Sequence, residues 1–394
     1  MSEISGTCDP QFEAVREAFL ASFVNHGDVG AGVSVYVEGE QVVDLVGGST
    51  AADGSDPYTA DALQMVFSTT KGATAICAHL LAERGELDLD APVTDYWPEF
   101  AAAGKGGVPV RWLLCHKSGL VDVDRKMTLS EALDWDTVTS ALAESAPLWE
   151  PGTQHGYHAV TYGWLVGEVV RRVSGRSLGR FFADEVAGPL GLDFWIGAPD
   201  SVHDRIVHLI PMGLPPGIDL GTKADGSPYG MIEMLDMLMG PGNLMGRALS
   251  APGGAFADQD VWNTPEVWRA EVPAANGITN AASLARMYAA TVSEVDGVRL
   301  LSESTVKEAT VRQTHGADSV LIFEIPFASG FMLDGGMAKL GSPTAFGHYG
   351  AGGSLGFGDH ERGIGFGYVM NRMDLGVAGD PRTSGLIDAV YASL

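Results

Sequence analysis

The sequence predicts an α/β protein with strand-forming segments at both ends of the chain and helices between them. Three observations carry this. Residues 10–25 place Phe12, Val15, Phe19 and Phe23 at helical spacing, and two β-branched runs, Gly32–Val37 and Gln41–Val46, follow, divided by Glu38-Gly39-Glu40. Residues 86–310 read as mainly helical, with amphipathic stretches near 129–146, 158–174, 177–187 and 281–293 separated by Pro/Gly-rich connections. Strand patterns return at 328–334, 345–350 and 363–370, where glycines and aromatics alternate, before a short helix around 382–392.

The two ends, 1–85 and 311–394, therefore form one α/β lobe, and 86–310 forms a mainly helical lobe. One insert inside that lobe, 212–249, collects Met212, Met231, Met234, Met237, Met239 and Met245 among glycines and prolines. Such methionine density suits an adaptable apolar wall over a substrate cleft, and it suits ordinary core filling equally well. No internal repeat occurs at a period of about 20–50 residues.

Composition narrows the function classes. Acidic residues outnumber basic ones 50 to 24, a net charge of −26. A surface so charged repels phosphate backbones and anionic headgroups, which argues against nucleic acid and membrane as partners. The N-terminal stretch carries Glu3, Asp9, Glu13 and Glu17, so it has neither the basic region nor the unbroken apolar run of a secretion signal. Cys8, Cys77 and Cys115 are odd in number, widely spaced and without metal-type pairing, as expected of reduced thiols in a cytoplasm.

The chemistry concentrates at Ser68-Thr69-Thr70-Lys71, an S-x-x-K at the start of a predicted helix whose apolar face (Ala73, Ile76, Cys77, Leu80, Leu81) stops at Gly85. Residues i and i+3 share a helical face, so the Lys71 amine can reach the Ser68 hydroxyl while the helix N-terminus favours a developing alkoxide. A lysine desolvated in a closed cleft loses proton affinity and can act as a base. Alone, the motif also fits an exposed helical serine and lysine.

Its company is more specific. The stretch Gln64–Gly72 is followed by Gly85-Glu86-Leu87-Asp88-Leu89-Asp90-Ala91-Pro92-Val93 and by Leu113-Leu114-Cys115-His116-Lys117-Ser118-Gly119-Leu120. In order and separation these three blocks resemble the class C β-lactamase-like serine hydrolases, which include the family VIII carboxylesterases. The resemblance runs from about residue 10 to the C-terminus. It implies a β-lactamase/transpeptidase-like fold: an antiparallel sheet flanked by helices, a mainly helical lobe, and an active site between them. It also implies Ser68 as nucleophile, Lys71 as its base and Tyr157, in the Y-x-N position, as proton shuttle. The asparagine of that motif is Ala159 here, which removes an amide partner for the lysine and for a β-lactam side chain.

The K-T-G position of the lactamases corresponds by resemblance to His348-Tyr349-Gly350, read as substrate-binding residues, with His348 as a merely structural histidine as the other reading. Imidazole attracts a β-lactam carboxylate less than a permanent ammonium does, which favours uncharged esters. Glycine at 350 is expected to let substrate lie against the strand edge, and the N–H groups of Ser68 and Ala351 are expected to form the oxyanion hole. A second candidate nucleophile, Ser354 in Gly352-Gly353-Ser354-Leu355-Gly356, spells the elbow of α/β-hydrolases but lacks the helix and the downstream acid and histidine that motif requires. His116 and Ser118 are expected to be structural.

Acid and histidine spacings show no metal site, and no glycine-rich phosphate loop is present, so neither metal nor cofactor is implied. The leading expectation is a carboxylesterase for short-chain or bulky-alcohol esters. A β-lactamase, D-aminopeptidase or acyltransferase of the same fold is the alternative, followed by a non-catalytic scaffold relative.

Overall fold

Both ends of the chain feed one antiparallel sheet. The computed structural model describes residues 4–211, 231–240, 242–374 and 376–394. Its strands are β1 (Ile4–Cys8), β2 (Gly30–Val37), β3 (Glu40–Gly48), β4 (Leu63–Met65), β5 (Phe194–Ile196), β6 (Ile206–Val207), β7 (Gly277–Thr279), β8 (Met332–Leu333), β9 (Ala345–Tyr349), β10 (Leu355–Asp359) and β11 (Ile364–Met370). The main sheet runs β1-β3-β2-β11-β10-β9-β8, and a smaller one runs β5-β7-β4-β6. β2 is buried along nearly its whole length, because helices cover both faces of the sheet at its centre.

The alternation of glycine with large residues in the C-terminal strands has a direct cause. Gly356 and Gly358 of β10 and Gly365 and Gly367 of β11 all face the Ala281–Val292 helix, where a Cβ would run into Tyr288, Leu284, Val292 or the helix backbone. Phe357, Phe366 and Tyr368 alternate with these glycines and are buried on the opposite face of the sheet. Glycine thus lets a helix lie almost on the backbone of the sheet.

The fold class is as expected, with local differences. Strands β1 and β10 carry no strand signal in the sequence, β10 because its two glycines read as a loop. The 328–334 pattern yields only the two residues of β8, since Gly330 turns at φ +92°. The 129–146 pattern is two helices, because Asp134 caps a new one through Thr137 N–H. The Ala281–Val292 helix, expected in the helical lobe, lies instead across β2, β10 and β11, so the sheet layer begins before residue 311. Of the methionine-rich insert, 212–230 and 241 lie outside the described residues; Met237 and Met239 are exposed, and Met245 packs on the core. Among the described residues no helix is long and apolar enough to cross a membrane.

Candidate active site

Ser68 stands on the tight turn Phe67–Thr69 that opens the Thr70–Glu83 helix. That helix runs through the middle of the molecule, with every residue from Thr69 to Leu81 buried. Small side chains make this possible: a Cβ at Gly72 would strike the Tyr288 hydroxyl, and Ala75 lies against Gly330. Phe67 adopts φ +42°, a left-handed conformation that costs a non-glycine residue about 1 kcal/mol. Its ring packs edge-on against Trp262 at 5.3 Å, and the Thr70 hydroxyl donates to its carbonyl at 2.5 Å. The strained turn leaves Ser68 partly exposed between fully buried neighbours.

The Lys71 amine lies 2.8 Å from Ser68 Oγ, 2.6 Å from the Ala159 carbonyl and 3.0 Å from the Ala274 carbonyl. Burial holds its pKa well below the ordinary lysine range. Position 159 therefore still supplies the lysine with a partner, through its backbone instead of the missing asparagine amide. Tyr157 places its ring 4.8 Å below the Lys71 nitrogen. Burial raises the pKa of its phenol and nearby Ser68 partly offsets this, yet the hydroxyl closes no well-formed hydrogen bond among the described residues.

His348 stacks on Tyr157 at 6.1 Å. Its Nδ1 lies 2.6 Å from the Tyr349 carbonyl and so must carry the ring proton, leaving Nε2 as a buried acceptor without a partner among the described residues. Burial first, then the Lys71 charge, push its pKa down to about 3, so the ring is neutral.

Two expectations at this strand need correction. The Tyr349 side chain lies on the opposite face from His348 and donates to the Lys339 carbonyl at 2.6 Å, so only its backbone is available to the cleft. Glycine is required at 350 because a Cβ there would collide with the Val66 carbonyl and the Ser354 hydroxyl. The missing side chain thus brings the Ser68 turn against the strand end, on the side away from open space. Ser354 itself is fully buried, donates to the Val66 carbonyl at 2.8 Å and is followed by strand β10 instead of a helix.

His116 and Ser118 grip the segment that bears Tyr157. The His116 ring packs against Tyr157 (5.0 Å), Tyr162 (5.3 Å) and Phe327 (4.6 Å), and its Nδ1 accepts the His158 N–H at 3.2 Å. His158 Nδ1 lies 2.6 Å from the Gly156 carbonyl, and its Nε2 meets the Ser118 hydroxyl at 2.8 Å. A third support is one that the sequence does not announce. One oxygen of buried Asp318 accepts the N–H groups of Tyr157 (3.0 Å), Val320 and Leu321 (both 2.8 Å). No sequence signal marks it, since a lone aspartate before an apolar run reads as a turn residue.

These buried imidazoles make an expected result for stability. Burial lowers His158 to about 4, His348 to about 3, and His116 well below its ordinary range. The unfolded chain takes up protons near pH 6.5 where the folded chain does not, so stability is full above that value and falls as pH drops toward 3–4. Each ring contributes up to about 1.4 kcal/mol per pH unit in that window. Urea unfolding at pH 7 and pH 4.5 should differ by several kcal/mol, with a smaller difference in His348→Gln; equal stability at both pH values would refute the assignment of neutral rings.

Known proteins resemble the chain over nearly its whole length. The family model described as Beta-lactamase matches residues 15–389. The chain is 35% identical over 375 residues to the esterase/beta-lactamase LipL of Mycobacterium tuberculosis, covering 94% of this chain and 83% of that protein. Among solved structures, a family VIII carboxylesterase superposes with a TM-score of 0.86 at 38% identity, with both chains covered in full. A penicillin-binding protein homologue from Caulobacter crescentus does so at 0.83 and 38%, again over the full length of both. The chain belongs to the beta-lactamase family of serine hydrolases.

Proposed function

We propose that the protein hydrolyses uncharged carboxylic esters, of short acyl chain or bulky alcohol, through an acyl-enzyme on Ser68. The observation that carries this is the set of partners around Lys71. A neutral amine has two hydrogens and one lone pair. The Ala159 and Ala274 carbonyls can accept only the hydrogens, which leaves the lone pair for the Ser68 hydroxyl. Burial favours that neutral form.

Lys71 then takes the Ser68 proton as Oγ attacks the acyl carbon, and the N–H groups of Ser68 and Ala351 hold the oxyanion. Tyr157, kept protonated by burial, gives its proton to the leaving alkoxide and is reprotonated from Lys71. Water repeats the sequence on the acyl-enzyme, releasing the acid and restoring Ser68.

Neutral His348 supports esters over β-lactams, because it offers a substrate carboxylate no charge. A relative whose name includes both activities keeps the second reading in the test. p-Nitrophenyl butyrate and nitrocefin should be assayed side by side, with ester turnover about 100-fold or more the faster. Comparable or reversed rates would show that the neutral imidazole does not decide substrate class.

A further inference from the structure

We propose that Arg382 is a positioning residue for the oxyanion site, fixing the loop that presents the Ala351 N–H through the carbonyl of Gly352. The inference rests on the assignment of Ala351 to the oxyanion hole.

The loop Gly350-Ala351-Gly352-Gly353 contains three glycines, two of them at positive φ, and has almost no side chains with which to anchor itself. Its near end is closed by the hairpin's own bond, and its far end is held from outside. On the near side Gly350 N–H donates to the Ser354 carbonyl at 2.8 Å. On the far side the Gly352 carbonyl accepts from Arg382 Nη2 and from Asp374 N–H.

Arg382 is fully buried in the first turn of the Pro381–Ala392 helix and places all five of its guanidinium hydrogens. Nε donates to Asp380 Oδ1 (2.9 Å), Nη1 to Asp28 Oδ1 (3.1 Å) and the Arg372 carbonyl (2.9 Å), and Nη2 to Asp380 Oδ2 (2.6 Å) and Gly352. The free oxygen of Asp28 accepts from Ser22 (2.6 Å) and Tyr368 (2.7 Å). A Cβ at Gly353 would collide with this guanidinium and with Asp380, so the loop is shaped around the ion cluster. A buried ion pair is a costly way to join helices, and apolar residues of similar volume do that at least as well. What apolar residues cannot do is hold one carbonyl at one angle.

Arg382→Lys tests this. Lysine keeps a positive charge between the two acids, but its compact ammonium cannot span Asp28, Asp380 and Gly352 together. Wild type and variant are compared on p-nitrophenyl butyrate and on its thiono analogue, whose C=S accepts hydrogen bonds poorly. Removing one oxyanion donor outright costs about 10²–10³-fold in kcat, so displacing it should cost roughly tenfold, with KM within about twofold. The wild-type preference for C=O over C=S should shrink in the variant. Equal losses on both substrates, or no loss, would overturn the role of Arg382. A wild-type preference no larger than that of alkaline hydrolysis in solution would instead overturn the assignment of Ala351.

Asp380→Asn, which loosens the same guanidinium, should show the same selective loss to a smaller degree and carries the test if the lysine variant does not fold. Tyr368→Phe removes a partner of Asp28 but leaves the bond to Gly352. It should lower Tm without changing the C=O/C=S preference.

Discussion

Replacing Ser68 with alanine is expected to lower ester turnover by about 10⁴-fold or more and to abolish covalent labelling by an aryl phosphonate. No neighbouring hydroxyl can substitute. Thr69 and Ser354 are buried and bonded to each other at 3.0 Å, and Thr70 is committed to the Phe67 carbonyl. Ser354→Ala should keep full labelling, although it loses the bond to Val66 and some stability. The measurement is intact-mass spectrometry after phosphonate treatment. Labelling that survives Ser68→Ala and disappears in Ser354→Ala would move the nucleophile to the other serine.

Lys71→Arg is the second large effect. The substitution keeps a cation in name, yet a guanidinium does not deprotonate near neutral pH and has no lone pair to offer Ser68. It would also bring a permanent charge into a buried site where desolvation disfavours the charged form. A loss of about 10³-fold in kcat is expected from removal of the base alone. Steady-state kinetics on p-nitrophenyl butyrate, with circular dichroism to check the fold, decide it. Activity within tenfold of wild type would mean that Lys71 acts through its charge, and that another group takes the serine proton.

The Ser68 turn is legible in the sequence because the chemistry proposed for it depends on side chains at fixed spacing. Ser68 and Lys71 are three residues apart on one helix, so local geometry alone brings them together at 2.8 Å. Tyr157, the proposed proton shuttle, stands out only through its place in a pattern of blocks, since nothing local sets it apart from other buried rings.

The rest of the site is hidden for physical reasons. The Ala159 and Ala274 carbonyls that orient the lysine are backbone groups, and any residue supplies a carbonyl. Asp318 and Arg382 act across 161 and 30 residues of sequence on Tyr157 and Gly352, through contacts that only the tertiary fold creates. The glycines of β10 and β11 are plain to see in the sequence, but their meaning is not. Glycine in a strand reads as weakness until the Ala281–Val292 helix is seen lying on it.

That glycine face limits how the enzyme can be remodelled. Tyr288 of the Ala281–Val292 helix touches Gly356 on one side and Gly72, next to Lys71, on the other. An alanine introduced into β10 or β11 would lift the helix, move Tyr288 and reach Lys71, the proposed base, one residue away. Laboratory evolution toward larger substrates should therefore accumulate changes away from these strands and leave the glycines of β10 and β11 untouched.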